Sequence, residues 1–312
     1  MKKIIYSFLL VCSIFLVGCI ESSTTGNSIS RLIDNPTDKE IKVAIDGNEL
    51  VIPAKSSVNH TFEYYGKHQL TYNGQSLNFI VKPTNSYNAG FINPTQSNYY
   101  MLQIYYVDIN GQMKYNDMMK KAYKIYQVTI NGEPDEIELP VEIINDVFIE
   151  RYYGKYVQAW NYGINDKLPD EIGLEKGTTQ TPRYKLFREA DFIGYLAGLD
   201  AGLKTLQFPN QPKKYADLTK YTVPNINLAD IKCDEGREFV KQHLADWNNL
   251  FTLKGDEFTK LHSQIISSDT YKKSSNIYDK CIKEKDYTCS SAIRKIDSAF
   301  RPIEQVNLFI TE

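Results

Sequence analysis

The sequence predicts a multidomain α+β protein with an N-terminal antiparallel β-sandwich, a second β-rich unit and a C-terminal α-helical bundle. Apolar and polar residues alternate between residues 41 and 81, which is the pattern of strands that bury one face. The pairs Asp46-Gly47 and Asn73-Gly74 interrupt this alternation and are typical of two-residue hairpin turns. From residue 188 onward, apolar residues recur every three or four positions, which indicates amphipathic helices.

Five short strands account for the first unit, over residues 32–92. The close spacing of strands and turns favours a sandwich of the immunoglobulin-like or transthyretin-like kind. Pro53 ends the second strand, because proline has no N–H to donate to a sheet. The apolar residues of the five strands are, in order, Ile41, Val43 and Ile45; Leu50 and Ile52; Val58 and Phe62; Leu70 and Tyr72; and Leu77, Phe79 and Val81.

A second β-rich unit is predicted over residues 93–187. Asn93-Pro94-Thr95 repeats Asn35-Pro36-Thr37 and precedes a strand-like run over residues 99–107. The hairpin pattern at residues 128–132 likewise echoes the one at residues 43–47. Duplication and chance recurrence of a common hairpin both explain these echoes. Residues 113–123 have the spacing of a short helix between the strands.

The helical domain is predicted over residues 188–312. One helix begins it, a proline-containing connection follows over residues 207–230, and four short helices complete it. Such short helices are unstable alone, so each must bury its apolar stripe against the others. Thr288 is the predicted N-cap of the last helix. The five stripes are Phe192, Tyr195, Leu196, Leu199 and Leu203; Phe239, Val240, Leu244, Trp247 and Phe251; Phe258, Leu261 and Ile265; Tyr271, Tyr278, Cys281 and Ile282; and Ala292, Ile293, Ile296 and Phe300.

The N-terminus has the features of an export signal. Lys2 and Lys3 precede an apolar run over residues 4–17, which is shorter than the roughly 20 residues of a membrane span. The run ends in Leu16-Val17-Gly18-Cys19, which resembles the lipobox of bacterial lipoproteins. The resemblance implies that residues 1–18 are removed as a signal peptide and that Cys19 carries acyl groups. Residues 19–31 then form the lipid anchor and a flexible tether.

The resemblance affects the net charge and the localisation expected of the mature protein. The formal net charge is −2, and it becomes −4 once Lys2 and Lys3 are removed. A weakly acidic body is not attracted to nucleic acid or to anionic lipid head groups, so the lipid itself must bind the membrane. Ile20 follows the cysteine where aspartate, by family resemblance, favours retention in an inner membrane. We therefore expect an envelope location, at the outer membrane if the cell has two membranes.

Motifs for catalysis, cofactors and metals were sought in the sequence. The chain has four histidines and lacks the nucleophile elbow Gly-x-Ser-x-Gly, a phosphate-binding glycine loop and His-Glu-x-x-His. His243 and His262 fall beside apolar helix positions and are interpreted as half-buried bundle residues. If a turn centres near residues 64–65, His60 and His68 lie nearly opposite each other across a hairpin. That geometry fits a sheet-edge packing pair better than a metal site, because no third ligand with a defined spacing is evident. The sequence therefore predicts no enzyme, no cofactor and no metal.

Three cysteines remain outside the signal. Cys281 and Cys289 bracket a helical hairpin, so a disulfide between them closes a short loop. Cys233 is the alternative partner of either one and would close a longer loop. An exported protein favours at least one disulfide, and the spacing leaves the pairing open.

One segment concentrates the residue types of protein interfaces. The segment lies within residues 151–162. Tyrosine, tryptophan and arginine contribute most of the binding energy of protein interfaces, so this segment is a candidate partner-binding patch. Its other interpretation is an amphipathic strand pair. These residues and the anchor favour a non-catalytic binding or structural lipoprotein with a macromolecular, preferably protein, partner. An immunity or inhibitor lipoprotein that neutralises a toxin and an envelope hydrolase with dispersed catalytic residues are the alternatives. The patch residues are Arg151, Tyr152, Tyr153, Tyr156, Trp160 and Tyr162.

Overall fold

The computed structural model describes residues 28–83, 90–107, 122–151, 159–176, 178, 180–200, 202–203 and 205–311. Within them the protein is α+β, with β sheets in the N-terminal part and helices in the C-terminal part, so the predicted class and order are confirmed. Several predicted features lie outside the described residues: the predicted signal segment with Cys19, the patch residues Tyr152, Tyr153 and Tyr156, and most of the helix predicted at 113–123.

Fifteen strands lie within the described residues. The first six are β1 (Ile29–Asn35), β2 (Ile41–Ile45), β3 (Asn48–Ile52), β4 (Ser56–Phe62), β5 (Gly66–Tyr72) and β6 (Gln75–Val81). The next seven are β7 (Phe91–Ile92), β8 (Tyr99–Val107), β9 (Lys124–Ile130), β10 (Glu133–Leu139), β11 (Val141–Ile144), β12 (Phe148–Ile149) and β13 (Gln180–Arg188). The last two are β14 (Leu206–Gln207) and β15 (Leu308–Ile310).

These strands form four sheets. Sheet 1 has the order β12-β7-β1-β4, and sheet 2 has the order β15-β6-β5-β2-β3. Sheet 3 has the order β11-β8-β13, and sheet 4 has the order β10-β9-β14. Neighbours pair antiparallel apart from β1 and β7, which are parallel. Sheet 2 therefore joins distant parts of the chain, because β15 (Leu308–Ile310) pairs with β6 (Gln75–Val81).

The predicted hairpins are confirmed at β2–β3, β5–β6 and β9–β10. Both turn residues have positive φ in each case, as at Asp46 (52°) and Gly47 (81°). This conformation matches the twist of antiparallel strands, and asparagine, aspartate and glycine tolerate it best. The turn pairs in the sequence thus determine three connections of the sheets.

The hairpin predicted between β4 and β5 is wrong. β4 pairs with β1 in sheet 1, where His60 lies opposite Arg31. β5 pairs with β2 and β6 in sheet 2. His60 and His68 therefore occupy different sheets, because the chain crosses between sheets after Phe62 instead of turning back along β4.

The N-terminal boundary also differs from the prediction. β1 begins at Ile29, and Arg31 within it is buried, so residues 29–31 belong to sheet 1 rather than to a tether. The reason is pairing, since Ile29 to Asn35 run antiparallel to Phe62 to Ser56 along their whole length.

The two Asn-Pro-Thr motifs adopt similar local structures. The Asn35 side chain donates to the carbonyl of Lys39 (2.8 Å) and accepts from the amide of Thr37 (3.1 Å). The Asn93 side chain donates to the carbonyl of Ser97 (2.9 Å) and accepts from the hydroxyl of Thr95 (3.1 Å). Both asparagines are fully buried, so each turn is held by a side chain that replaces missing backbone bonds.

Five helices lie within the described residues: α1 (Glu189–Leu199), α2 (Asp234–Leu250), α3 (Gly255–Ile265), α4 (Ser268–Lys283) and α5 (Tyr287–Glu304). α1 packs Phe192 and Leu196 onto sheets 3 and 4, whereas α2 to α5 share a separate core. The predicted N-cap of α5, Thr288, is wrong. Asp286 caps the helix, because its Oδ1 accepts from the amide of Cys289 at 3.1 Å.

Separate apolar cores hold these elements. Sheets 1 and 2 share one core, to which Ile33, Phe62 and Phe79 belong. Sheet 3 has apolar residues on both faces, with Tyr100 towards α1 and Tyr99 towards sheet 1. The core of α2 to α5 includes Ile80 of β6 and Phe309 of β15. The helices are thereby packed against one end of sheet 2.

Candidate ligand cavity in the helical region

A cavity of about 460 Å³ lies between the helices and the end of β6. We call it the helical cavity. Its wall combines isoleucine and aromatic side chains with two histidines, one lysine and several hydroxyl groups. The lining residues are Lys82, Pro83, His243, Trp247, His262, Ile265, Ile266, Ser267, Thr270, Tyr271, Ser274, Ile296, Asp297, Phe300, Ile303, Glu304 and Gln305.

Lys82 supplies the cavity with a buried amine. Only 3% of this residue is exposed. Its Nζ donates to the carbonyl oxygens of Pro83 and Glu304, each at 3.2 Å. Burial lowers the pKa of Lys82 to about 8, and the nearby carboxylates of Glu150 and Glu304 oppose this shift only in part. Lys82 is therefore mostly charged at neutral pH and loses its charge under mildly alkaline conditions.

A buried polar network positions the backbone of Lys82. The Asn307 side chain donates to the Lys82 carbonyl at 2.7 Å, and its Oδ1 accepts from the guanidinium of Arg31. The Asn307 amide donates to Glu150 Oε2 at 3.2 Å, and Glu150 lies 3.9 Å from Arg31 Nε. Groups from β1, the end of β12 and the start of β15 thus meet behind the helical cavity.

Two neutral histidines line the cavity beside this lysine. His262 is 3% exposed and stacks on Phe258, with ring centroids 5.6 Å apart. Burial, and secondarily the charge of Lys82, lowers the pKa of His262 to about 4. Burial also lowers the pKa of His243, although Asp246 and Asp297 oppose the shift. Both imidazoles are therefore uncharged at neutral pH, and the bundle position predicted for them agrees with these contacts.

The apolar wall is built around Trp247. Its ring stacks on Phe300 with centroids 3.7 Å apart. Its indole Nε1 is buried and has no hydrogen-bond acceptor among the described residues. At the mouth, Ile266 and Tyr271 are 52% and 76% exposed. Apolar surface therefore continues from the inside of the cavity to the solvent.

Lys82 was not predicted as a site residue, and Trp247 was predicted only as part of a helix stripe. Lys82 follows an apolar strand and precedes a proline, a context that carries no recognisable signal. Its burial depends on Asn307 and on α5, more than 200 residues later in the chain. Local patterns therefore identified apolar wall residues such as Trp247, Ile296 and Phe300 and missed the buried lysine.

Three residues of the predicted patch, Arg151, Trp160 and Tyr162, lie within the described residues. Trp160 is 3% exposed and packs in the core between sheets 1 and 3, so its ring is not on an open surface. Arg151 Nε donates to the carbonyl of Trp160 at 2.6 Å. Both residues line a pocket of about 250 Å³ that also includes Asn165. Tyr162 is half-buried, and its backbone pairs with that of β13.

The other predicted histidines have structural partners. His68 Nδ1 lies 2.6 Å from Asp46 Oδ2, and its Nε2 lies 3.1 Å from the carbonyl of Tyr64. His60 packs edge-on against Phe62, which in turn contacts His68. Among the residues that the structure describes, no group of three potential metal ligands is found.

The three described cysteines cluster around the start of α2. A disulfide joins Cys281 to Cys289, while Cys233 is free and buried. A Cβ at Gly236 would overlap the Cys289 sulfur and lie 3.1 Å from that of Cys281. Asp286 Oδ2 accepts from the amide of Cys233 at 2.8 Å, which ties α2 to α5 beside the disulfide.

No family model matches the chain, and comparisons with curated proteins and with solved structures find no match. Over the described part of the chain, no helix combines the length and hydropathy needed to cross a bilayer.

Proposed function

We propose that this chain is a lipid-anchored lipoprotein of the bacterial cell envelope that acts by binding, without catalysis, and that the helical cavity is its binding site. The observation that carries the binding role is the helical cavity. Its volume of about 460 Å³ falls within the range of ligand sites, roughly 300–1,000 Å³. Its mouth exposes Ile266 and Tyr271, which favours entry of an apolar group.

Anchoring is supported by the sequence Leu16-Val17-Gly18-Cys19 and by the apolar run before it. In a cell with two membranes, the outer membrane is the proposed location. The macromolecular partner expected from the sequence remains a prediction. We also propose that sheets 1 and 2 form a sandwich of the immunoglobulin-like or transthyretin-like kind, because their apolar faces share one core.

The anchor is tested by labelling bacteria that express the full chain with radioactive palmitate. The wild-type protein is expected to take up label and to fractionate with membranes, because several acyl chains make release slow. The Cys19→Ser variant should lose both properties. Cys12→Ser is the matched control, since Cys12 lies in the segment expected to be removed and its loss should change neither property. Unchanged labelling of Cys19→Ser would contradict the anchor.

The binding site is tested by native mass spectrometry of the full protein extracted from membranes in detergent. The wild type should carry a small-molecule adduct beyond its own acylation. Ser274 lines the helical cavity, whereas the next residue, Ser275, is exposed outside it. Ser274→Trp should fill the cavity and remove the adduct, and Ser275→Trp should retain it. A wild type without adduct, or an adduct that persists in Ser274→Trp, contradicts the proposal.

A further inference from the structure

We propose that the ligand of the helical cavity is a single-chain amphiphile with an anionic head group, held by Lys82 inside the cavity while its chain extends towards the mouth. This inference rests on the proposed binding function and names the chemical class of the ligand.

The first argument is the hydrogen-bonding capacity of Lys82. An ammonium group has three N–H donors, and two of them are directed to the neutral carbonyls of Pro83 and Glu304. A carboxylate or phosphate oxygen placed in the cavity would accept from the third. An anion gains more here than a neutral head group, because the Coulomb attraction of opposite charges adds to the hydrogen bond.

The second argument is the charge around Lys82. Glu150 is shared with Arg31 at 3.9 Å and with the Asn307 amide at 3.2 Å, so it does not neutralise the lysine alone. Glu304 is exposed to solvent, which screens its charge. His262 also lies near the amine and is neutral at pH 7, because burial lowers its pKa to about 4. Asp297 is the remaining carboxylate on the cavity wall. An incoming anion therefore meets an incompletely balanced cation in a site of low dielectric.

The third argument is the gradient of exposure along the cavity. Lys82 is 3% exposed, whereas Ile266 and Tyr271 at the mouth are 52% and 76% exposed. The stacked rings of Trp247 and Phe300 belong to the same cavity wall. A head group at Lys82 therefore directs an alkyl chain along an apolar wall to an apolar mouth. Repulsion from the same lysine disfavours a cationic head group, although Asp297 and Glu304 on the cavity wall reduce that repulsion.

The inference is tested by calorimetric titration of the full protein at pH 7 with three probes of equal chain length: dodecanoate, dodecyl phosphate and dodecanol. We expect at least one anionic probe to bind about tenfold more tightly than dodecanol, which corresponds to about 1.4 kcal/mol. A preference for dodecanoate indicates a free fatty acid as the natural source, and a preference for dodecyl phosphate indicates a phospholipid-type head group.

Lys82→Met should abolish this preference and leave the affinity for dodecanol unchanged. Lys272→Met is the matched control, because it removes an exposed lysine from α4 that does not line the cavity. Lys82 also hydrogen-bonds the C-terminal end of α5, so Lys82→Met tests folding as well as binding. If that variant does not fold, Lys82→Arg decides, since it keeps the charge and should keep the preference.

The preference should also depend on pH. Lys82 has a pKa of about 8, so raising the pH from 7 to 9 removes its charge and should weaken dodecanoate binding about tenfold. Dodecanol binding should stay constant. Equal affinity for dodecanol and both anionic probes overturns the inference and leaves the proposed function intact. Binding of none of the probes also overturns it. Persistence of the adduct in Ser274→Trp overturns the proposed function itself.

Discussion

Single buried charges in this protein are stabilised by specific partners. Asp34 is fully buried, and both its carboxylate oxygens accept from Arg188, at 2.7 and 2.8 Å. Its Oδ2 also accepts from the Tyr99 hydroxyl at 2.6 Å. These contacts join β1 of sheet 1 to β8 and β13 of sheet 3. An ion pair of this kind costs little while both partners are present and much when one is removed.

Asp34→Asn should therefore destabilise the protein by about 3 kcal/mol, because it leaves the partly buried guanidinium of Arg188 with only the exposed carboxylate of Asp191, at 3.8 Å, as countercharge. The measurement is the free energy of unfolding in urea. Glu49→Gln is the control, since Glu49 pairs with Lys42 on the surface and such pairs contribute about 0–1 kcal/mol. Similar losses in the two variants would show that the buried pair has no special role.

At the scale of residues, the sequence indicates the chemical type of a side chain better than its burial or its hydrogen-bond partners. It selected Trp160 for its interface chemistry, but the burial of that ring depends on Phe91 of sheet 1 and Tyr184 of sheet 3. It placed His68 on the apolar side of a strand, where the residue is indeed buried, and could not identify Asp46 as its partner. Partners that lie far away in sequence are set by tertiary structure and leave no local pattern.

Strands and helices were predicted more completely than single contacts. The alternation over residues 41–81 corresponds to strands β2 to β6, and the apolar stripes correspond to helices α2 to α5. Both patterns are periodic and local, so they can be recognised without knowledge of the fold. Strand partners were predicted correctly only where a two-residue turn joins them. The pairings of β1 with β4 and of β6 with β15 lack such a turn.

Gly66 determines how the helices meet sheet 2. It lies at φ 117° and forms a bridge with Lys254 in the loop between α2 and α3. The amide of Lys67 donates to the carbonyl of Leu253 at 2.9 Å. The amide of Gly255 donates to the carbonyl of Tyr65 at 2.7 Å. A Cβ at Gly66 would overlap Leu253 O and lie 2.5 Å from the Lys254 Cα.

We expect Gly66→Ala to destabilise the protein by about 3 kcal/mol or more, because strain at positive φ and a backbone clash add together. Gly74→Ala is the matched control. Gly74 also has positive φ, 71°, but a Cβ there meets no atom within 4 Å, so its cost should stay near 1–2 kcal/mol. Urea unfolding of both variants measures the difference. Equal losses would mean that the contact with Lys254 contributes nothing beyond strain.

At the scale of the whole molecule, the C-terminal strand connects the β and helical parts. In β15, Leu308 packs in the core of sheets 1 and 2, while the next residue, Phe309, packs in the core of the helices. Adjacent strand residues point to opposite faces, so one short strand serves two cores. The sequence did not predict β15, because three residues are too few to show a period.

Because both cores share this strand, we predict that the protein unfolds in one cooperative step. The two tryptophans are suitable probes, since Trp160 lies in the β part and Trp247 in the helical core. Trp247→Phe leaves fluorescence from the β part, and Trp160→Phe leaves fluorescence from the helices. The two variants should each show one transition in urea, and far-ultraviolet circular dichroism should coincide with fluorescence in each.

Phe309→Ala is then introduced into each of the two single-tryptophan variants. It should lower the urea midpoint of both fluorescence signals by an amount equivalent to about 3–5 kcal/mol, because a buried phenylalanine of the helical core is lost. Tyr287→Ala is the control: Tyr287 is 67% exposed, so both midpoints should move by less than about 0.5 kcal/mol. The contrary result is a shift of the Trp247 signal with an unchanged Trp160 signal. That result would show that the helices unfold independently of the sheets. Lys82 follows β6 and lines the helical cavity, so the cavity would then open before the sheets unfold.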